Sequence, residues 1–335
     1  MKKILLASTA TVALYAMPAP MPAQAADLPL KAGPVVATPQ ATGYIEVYGG
    51  WASTRLSGSD TEGSSTSFSS SSKGSVLGGA GRGNYWLTPT VSMQLDVQAE
   101  GTSYSTSGST FSSLDYLIGG HVNLRHSNSG LYGMFAGIGD VNEVRHAVIG
   151  VEGQWYWNNF TLYAQGGYDT TLHSTSSCSI INFCGPDVDL DAWFIRGTGR
   201  YYVTPNLRIE ATGMYADGTT NASSISGSFT NGSTFNAGFS TVLWEAKAEW
   251  KMDQGPFALF FKYRGSQTDY NVSICCSAAT LDAKVTDNRF LVGARMYLGE
   301  KSLLWNDRQG ATLDIISPLA IQSGPLYARY LPQNF

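Results

Sequence analysis

The sequence has few charged residues and no long apolar run. Only 14% of its 335 residues are Asp, Glu, Lys or Arg, which argues against a coiled coil and against an ordinary helical enzyme. No stretch of about eighteen apolar residues occurs, so no transmembrane helix is expected. Glycine, with 37 residues, and tyrosine, with 18, are instead unusually frequent. The composition therefore points away from helical architectures, whether soluble or membrane-bound.

The first residues have the three parts of a secretory signal. Residues 1–25 begin with the basic pair Lys2 and Lys3, continue through an apolar region and end in the cleavage site Ala23-Gln24-Ala25. We therefore expect export through the Sec pathway, followed by a periplasmic linker over 26–42.

Basic charge is scarce in the exported chain. Loss of Lys2 and Lys3 lowers Lys plus Arg from 21 to 19 against 25 acids, a formal net charge of −6. Proteins that bind nucleic acids present a basic face, so no nucleic-acid partner is predicted.

Cysteine is also rare, with four residues, but an exported chain can form disulfides. We favour a bridge between Cys178 and Cys184, because the adjacent Cys275 and Cys276 could bridge only with strain. A zinc site is the weaker alternative, since these spacings are unlike those of usual ligand pairs. No metal and no cofactor is predicted.

Most of the remaining sequence alternates between apolar and polar residues. In the segment from Val91 to Glu100, the odd positions are apolar and the even positions are polar, which predicts a strand with two different faces. The pattern recurs about twelve times, mostly near the length that crosses a bilayer at a tilt. The predicted strands are 43–53, 75–87, 91–104, 114–126, 130–139, 145–157, 160–171, 190–203, 206–217, 239–252, 256–267 and 287–299.

The predicted connections alternate between tight turns and long polar segments. Tight turns occur, for example, at Leu87–Thr90 and Trp157–Asn159, whereas Ser57–Ser72, Ser103–Ser113 and Gly218–Asn236 are long. Loop lengths sorted in this way are typical of outer-membrane barrels. We predict an all-β, transmembrane, up-and-down antiparallel barrel over 43–299, with short periplasmic turns and long extracellular loops.

Aromatic residues on the apolar face form two rows that flank an aliphatic band, as at the two membrane–water interfaces. One row lies near the long loops and the other near the short turns. The rows comprise Trp51, Tyr116, Tyr168, Trp193, Tyr215, Trp244 and Tyr263, and Tyr85, Trp155, Phe160, Tyr201, Trp250 and Phe257.

Charged strand residues lie on the opposite face, because a charge turned toward lipid at mid-depth costs roughly 2–4 kcal/mol. Strands one to seven contribute mostly acids and strands eight to twelve mostly bases, so one wall of the lumen is expected to be acidic and the other basic. The predicted lumen-lining residues are Glu46, Arg82, Asp96, Glu100, Asp115, Arg125, Glu152, Arg196, Arg200, Arg208, Glu210, Glu245, Lys247, Glu249, Lys251, Lys262, Arg264, Arg289 and Arg295.

Two functions fit such a lumen. In the first, the lumen is an open, charged channel for the diffusion of small polar solutes. In the second, salt bridges between the charges fill the lumen and keep a non-conducting barrel closed. Lys247, Glu249 and Lys251 form a ladder on one strand, which is either a selectivity strip or a set of ion pairs with strand eleven. The tail 300–335 is too apolar for a free end, and it is expected to dock under the periplasmic mouth, enter the lumen or bind a partner.

The sequence gives less support to an enzyme than to a channel or a structural barrel. No lipid-facing Ser–His pair of the kind found in barrel lipases emerges, and no catalytic residue is predicted. A hydrolase at the extracellular rim would need a cluster formed by Asp169, His173, Asp191, Asp269 and Asp287.

The N-terminal part resembles the alphaproteobacterial outer-membrane β-barrel, or porin-like, proteins. The resemblance rests on the signal peptide, on Ala25-Ala26-Asp27-Leu28-Pro29 and on the first strand from Gly43 to Gly50. It implies location in the outer membrane of a Gram-negative cell and a barrel architecture, although small members of the group have fewer strands.

The last strand ends in Gly293-Ala294-Arg295-Met296-Tyr297-Leu298, which resembles the signal read by the barrel-insertion machinery. That machinery, outer-membrane lipid, lipopolysaccharide and small polar solutes are therefore the expected partners. A porin-like channel for passive diffusion is the predicted function, with a structural or surface-interaction barrel as the alternative. The oligomeric state is left open, a homo-oligomer included.

Overall fold

The structure is a computed structural model that describes residues 41–60, 67–106, 109–126, 129–141, 144–174, 187–223, 234–274, 280–298, 301–310 and 314. The predicted signal peptide at 1–25, most of the predicted linker, and Cys178 and Cys184 lie outside these residues.

Twelve strands make up the fold, as the alternation predicts. They are β1 Ala41–Asp60, β2 Ser67–Trp86, β3 Val91–Thr106, β4 Ser109–His126, β5 Gly130–Val141, β6 Val144–Trp157, β7 Phe160–Ser174, β8 Asp187–Thr204, β9 Leu207–Ser223, β10 Thr234–Lys251, β11 Phe257–Ile274 and β12 Thr280–Tyr297.

Each strand pairs in antiparallel fashion with the strands before and after it, and β12 returns to pair with β1. The closing ladder places Glu46 directly opposite Arg295. This closed up-and-down barrel leaves no exposed sheet edge among the described strands. The predicted fold class is confirmed.

The strands are longer than the hydrophobic pattern indicates. They contain between 12 residues, in β5, and 20, in β1 and β2. The β1–β2 ladder continues to Ser59 opposite Ser67, so most of the predicted loop Ser57–Ser72 is strand. The loop predicted over Ser103–Ser113 is also wrong in its bounds, because β3 ends at Thr106 and β4 begins at Ser109. Serine-rich segments continue the backbone ladder beyond the apolar band without contributing any hydrophobic alternation.

The outer surface is apolar over most of the barrel. Along β3, Met93, Leu95 and Val97 are exposed while Gln94 and Asp96 are buried, as expected for alternate positions on a strand. Both predicted aromatic rows lie on this outer face: Trp51 and Trp193 are exposed near the long loops, and Tyr201, Trp250 and Phe257 are exposed near the short turns.

One short helix, α1 Leu303–Gln309, follows the barrel. The Ser302 side chain caps its start by accepting a hydrogen bond from the Trp305 backbone N–H, and the Gly310 N–H donates to the Asn306 carbonyl at its end. Among the residues that the structure describes, no helix combines the length and apolar character needed to cross a bilayer.

Candidate functional site

The predicted lumen-lining residues all lie on the inward face of their strands, where the protein interior covers them. Glu245, Lys262 and Arg264 are partly buried, whereas the others are buried. Burying so many charges is costly unless each has a partner of opposite sign and its hydrogen bonds are satisfied. The partners therefore decide what the interior can do.

The first network joins β3 to β11 and β12, which are not its neighbours in the sheet. Glu100 on β3 accepts hydrogen bonds from Arg264 on β11, at 2.7 and 2.9 Å, and also pairs with Arg289 on β12. Tyr48 donates to the same carboxylate at 2.8 Å, and Arg289 donates in turn to Asp287 at 2.7 Å. The acidic and basic walls expected from the sequence are thus in contact here, although β1 and β2 lie between β3 and β12 in the sheet.

A second network is centred on His121. Its Nε2 lies 2.9 Å from Asp96 and its Nδ1 lies 2.8 Å from Glu152, and all three side chains are buried. Tyr163 also donates to Glu152. Gly133 makes this approach possible from β5, because a Cβ there would lie 3.0 Å from the Glu152 carboxylate and even closer to Asn123.

A third network lies beside the β1–β12 seam. Arg295 pairs with Glu46 and with Glu249, the latter at 3.1 Å. Arg208 and Tyr297 both donate to Glu249 at 2.6 Å. One carboxylate of β10 thereby connects β9 and β12 through the interior.

The predicted ladder on β10 makes its described ion pairs with residues outside β11. Lys247 lies 3.1 Å from Glu249 on its own strand. Lys251 donates to the carbonyl oxygens of Met252, at 3.3 Å, and Gly255, at 2.7 Å. Among the described contacts the ladder thus forms no ion pair with β11, and the selectivity strip stays a prediction.

Helix α1 lies in the mouth of the barrel at the short-turn end. The Leu304 backbone N–H donates to the Pro205 carbonyl at 3.1 Å, and Arg308 donates to the Asn158 carbonyl. Arg125, near the end of β4, donates to the carbonyls of Arg308 and Gly310. Residues 301–310 therefore lie in the mouth, whereas the placement of the whole tail 300–335 stays a prediction.

An apolar contact seats the start of this helix. Leu303 is fully buried and packs in a cluster with Tyr44, Tyr202, Ala258 and Tyr297. These four partners come from β1, β8, β11 and β12, near the ends that meet the short turns. The helix thus contacts strands from much of the circumference.

Two tail carboxylates bind basic residues of the wall. Asp307 accepts from Gln154 at 2.9 Å, from Thr161 at 2.6 Å and from Arg200 at 3.3 Å. Asp314 pairs with Arg200 and lies 3.5 Å from Arg196. Sequence reasoning missed Gln154, Thr161 and both aspartates as site residues. The sequence offers two signals for them: the inward positions of Gln154 and Thr161 on their strands, and the apolar character of the tail.

The interior also contains an apolar layer that the sequence analysis did not anticipate. Its members come from β4, β5, β6, β8, β9, β10, β11 and β12. The larger ones are Leu117, Phe135, Val148, Leu190, Phe194, Met214, Phe239, Leu243, Tyr270 and Val285. They lie on the same inward faces of the strands as the charges, so apolar and charged side chains share the interior.

The acids considered for a rim hydrolase do not converge. Asp169 and Asp287 are buried in the interior, whereas Asp191 and Asp269 are exposed on the outer face. The side chain of His173 lies outside the described residues. Within the described part of the chain, no group of His, Cys, Asp and Glu side chains could hold a metal ion.

Comparison with known proteins gives the fold alone. No protein-family model and no curated protein matches the sequence. The chain is similar to the COG4313 outer membrane channel from Pseudomonas putida F1, with a TM-score of 0.51 and 11% identity over 76% of this chain and 95% of that one.

Two further solved structures are more distant. The outer membrane protease OmpT from Escherichia coli has a TM-score of 0.33 and 10% identity over 78% of this chain and 98% of that one. The NanC porin has a TM-score of 0.38 and 7% identity over 73% of this chain and 98% of that one. The similarity to the COG4313 channel thus gives this chain the fold of an outer-membrane β-barrel and nothing further. The narrower resemblance to alphaproteobacterial proteins stays a prediction.

Proposed function

We propose that the protein is an outer-membrane channel for the passive diffusion of small polar or charged solutes, and that α1 closes it at the periplasmic mouth. The observation that carries this proposal is the way α1 is held. It contacts the wall through side chains and a few backbone hydrogen bonds, such as that from Leu304 to Pro205. A segment attached in this way can leave without breaking the barrel ladder.

The charged wall supports a polar solute rather than an apolar one. Beside its apolar residues, the interior carries Arg196, Arg200, Arg208, Lys247 and Glu249, among others. Rings of charged side chains are a common source of selectivity in pores. Outer-membrane lipid, lipopolysaccharide and the barrel-insertion machinery are the partners that this location entails.

The second candidate is a non-conducting structural or surface-interaction barrel. The buried networks around Glu100 and His121 favour it, since paired charges fill part of the cross-section and connect strands that are not neighbours in the sheet. In that case the tail stabilises a permanently closed interior.

Planar-bilayer conductance separates the two candidates. The chain 26–335 should be silent or open rarely, whereas the chain 26–299 should show stepwise openings. Each protein must first be shown to be folded by heat-modifiable migration on a gel. Silence from both folded proteins would reject the channel and leave the structural barrel.

A further inference from the structure

The barrel wall contains a complete binding site for one carboxylate. Gln154 Nε2 and Arg200 Nη1 donate to one oxygen of Asp307, at 2.9 and 3.3 Å, and Thr161 Oγ1 donates to the other at 2.6 Å. The three donor residues and Asp307 are fully buried. Both oxygens of the acid are therefore satisfied by the protein away from water.

The donors belong to the wall and the acceptor belongs to the tail. Gln154, Thr161 and Arg200 lie on the neighbouring strands β6, β7 and β8, and Thr161 stands directly opposite Arg200 in the ladder. Hydrogen bonding within the sheet fixes these positions whether or not α1 is present. The site is thus preorganised for a carboxylate from any source.

A second carboxylate position adjoins the first. Asp314 pairs with the other terminal nitrogen of Arg200 and lies 3.5 Å from Arg196. On the wall itself, Arg200 has one acidic partner, Glu210, at 3.0 Å. Withdrawal of the tail would therefore remove two of the three acidic partners of Arg200, and a guanidinium that loses acidic partners attracts another anion.

Resting on the proposed channel function, we propose that this wall site binds small dicarboxylates and that Asp307 and Asp314 occupy it as an intramolecular competitor. A solute with two carboxylates separated by a short spacer reproduces both acids of the tail. When it binds Gln154, Thr161 and Arg200, it displaces α1 and opens the mouth through which it then passes. A neutral solute of the same size lacks the charge that Arg200 requires.

The first test follows the tail directly. A spin label is attached through Gln309→Cys in the full chain whose four native cysteines are replaced by serine, and succinate is the probe. We expect succinate to increase the mobile fraction of the label, whereas succinamide and sulfate at equal ionic strength do not. Asp307→Asn should raise the mobile fraction without any ligand. The matched control Asp253→Asn removes an acid from a short turn at the same end of the barrel and should change nothing.

The second test measures binding without the competitor. Titration calorimetry of the full-length double variant Asp307→Asn with Asp314→Asn in detergent should detect succinate, and adding Thr161→Val should weaken binding roughly tenfold, because one hydrogen bond to a charged group is lost. Val is close to Thr in shape, so folding is expected to survive and is checked by heat-modifiable migration.

The outcomes separate this inference from the channel itself. Equal effects of succinate and succinamide, or unchanged affinity in Thr161→Val, would overturn the carboxylate site. Succinate-dependent release of the tail without any current in bilayers would uphold the site and overturn the channel. Current that appears after truncation of the tail but does not depend on succinate in the full chain would uphold the channel and overturn the carboxylate site.

Discussion

Each buried charge in this barrel is tolerable only because several groups share it. Glu249 receives Arg208, Arg295, Lys247 and the Tyr297 hydroxyl, which offsets the cost of removing a carboxylate from water. His121 has the converse role of one base between two acids. Removing the shared residue of such a group should therefore lower the free energy of unfolding by more than the loss of its own contacts, because the remaining buried charges lose their partner.

We expect His121→Leu to lower the free energy of unfolding by about 3–5 kcal/mol, because Asp96 and Glu152 then face each other without a base between them. Urea unfolding in detergent micelles, followed by tryptophan fluorescence, measures the change. Combining it with Asp96→Asn and Glu152→Gln should restore part of the loss, while Val122→Leu on the outer face should have little effect. Unchanged stability in His121→Leu would contradict this view of the network.

The alternation of apolar and polar residues along a strand predicts which side chains point inward, but it does not predict which residues they contact. The inward position of Arg289 follows from alternation along β12. Its pairing with Glu100 does not, because the two strands are not neighbours and the contact depends on how far the side chains reach across a closed barrel. The binding site of Asp307 was equally unpredictable, since nothing in the sequence of the tail indicates which residues of the wall donate hydrogen bonds to its carboxylate.

The strands obey alternation in their middle parts and depart from it at their ends. The membrane-spanning part must hide polar groups from lipid, so its two faces differ and can be recognised. Beyond the lipid both faces meet water, which removes the pattern but leaves the ladder intact. For this reason the sequence underestimated β1 and β2, whose pairing runs on through a serine-rich segment.

Inward glycines on these strands provide space for aromatic rings from a neighbour. The Phe135 ring of β5 covers Gly150 of β6, where an added Cβ would lie 2.3 Å from the ring and 2.3 Å from the Gly166 carbonyl. Packing of this kind helps define the register between strands.

We therefore expect Gly150→Ala to destabilise the barrel by about 1–3 kcal/mol, because Phe135 and the neighbouring backbone must both shift. The matched control is Gly213→Ala on β9, where a Cβ would meet nothing within 4 Å and the lower entropy of the unfolded chain should give a neutral or slightly stabilising change. Unfolding midpoints in urea measure both variants. Equal effects at the two positions would mean that the ring over Gly150 is not tightly packed.

At the scale of the whole molecule, a closed barrel and a docked tail carry different parts of the function. The barrel needs only lipid around its apolar outer face and a complete ladder between β1 and β12. The tail adds Leu303, Asp307 and Asp314 to the interior at one end, where they complete an apolar cluster and supply acids to the basic wall. The alternation of apolar and polar residues was sufficient to predict the barrel, but the position of the tail depends on contacts between residues far apart in the chain.

Closure of a conducting barrel by α1 can be tested on a single protein in a single bilayer. A protease site is introduced between the barrel and α1, and current is recorded before and after cleavage, with the released tail washed out and identified by mass spectrometry. We expect a nearly silent protein that gives stepwise openings once the tail has left. A barrel that remains silent after release of the tail, or that conducts equally before and after, would contradict this closure.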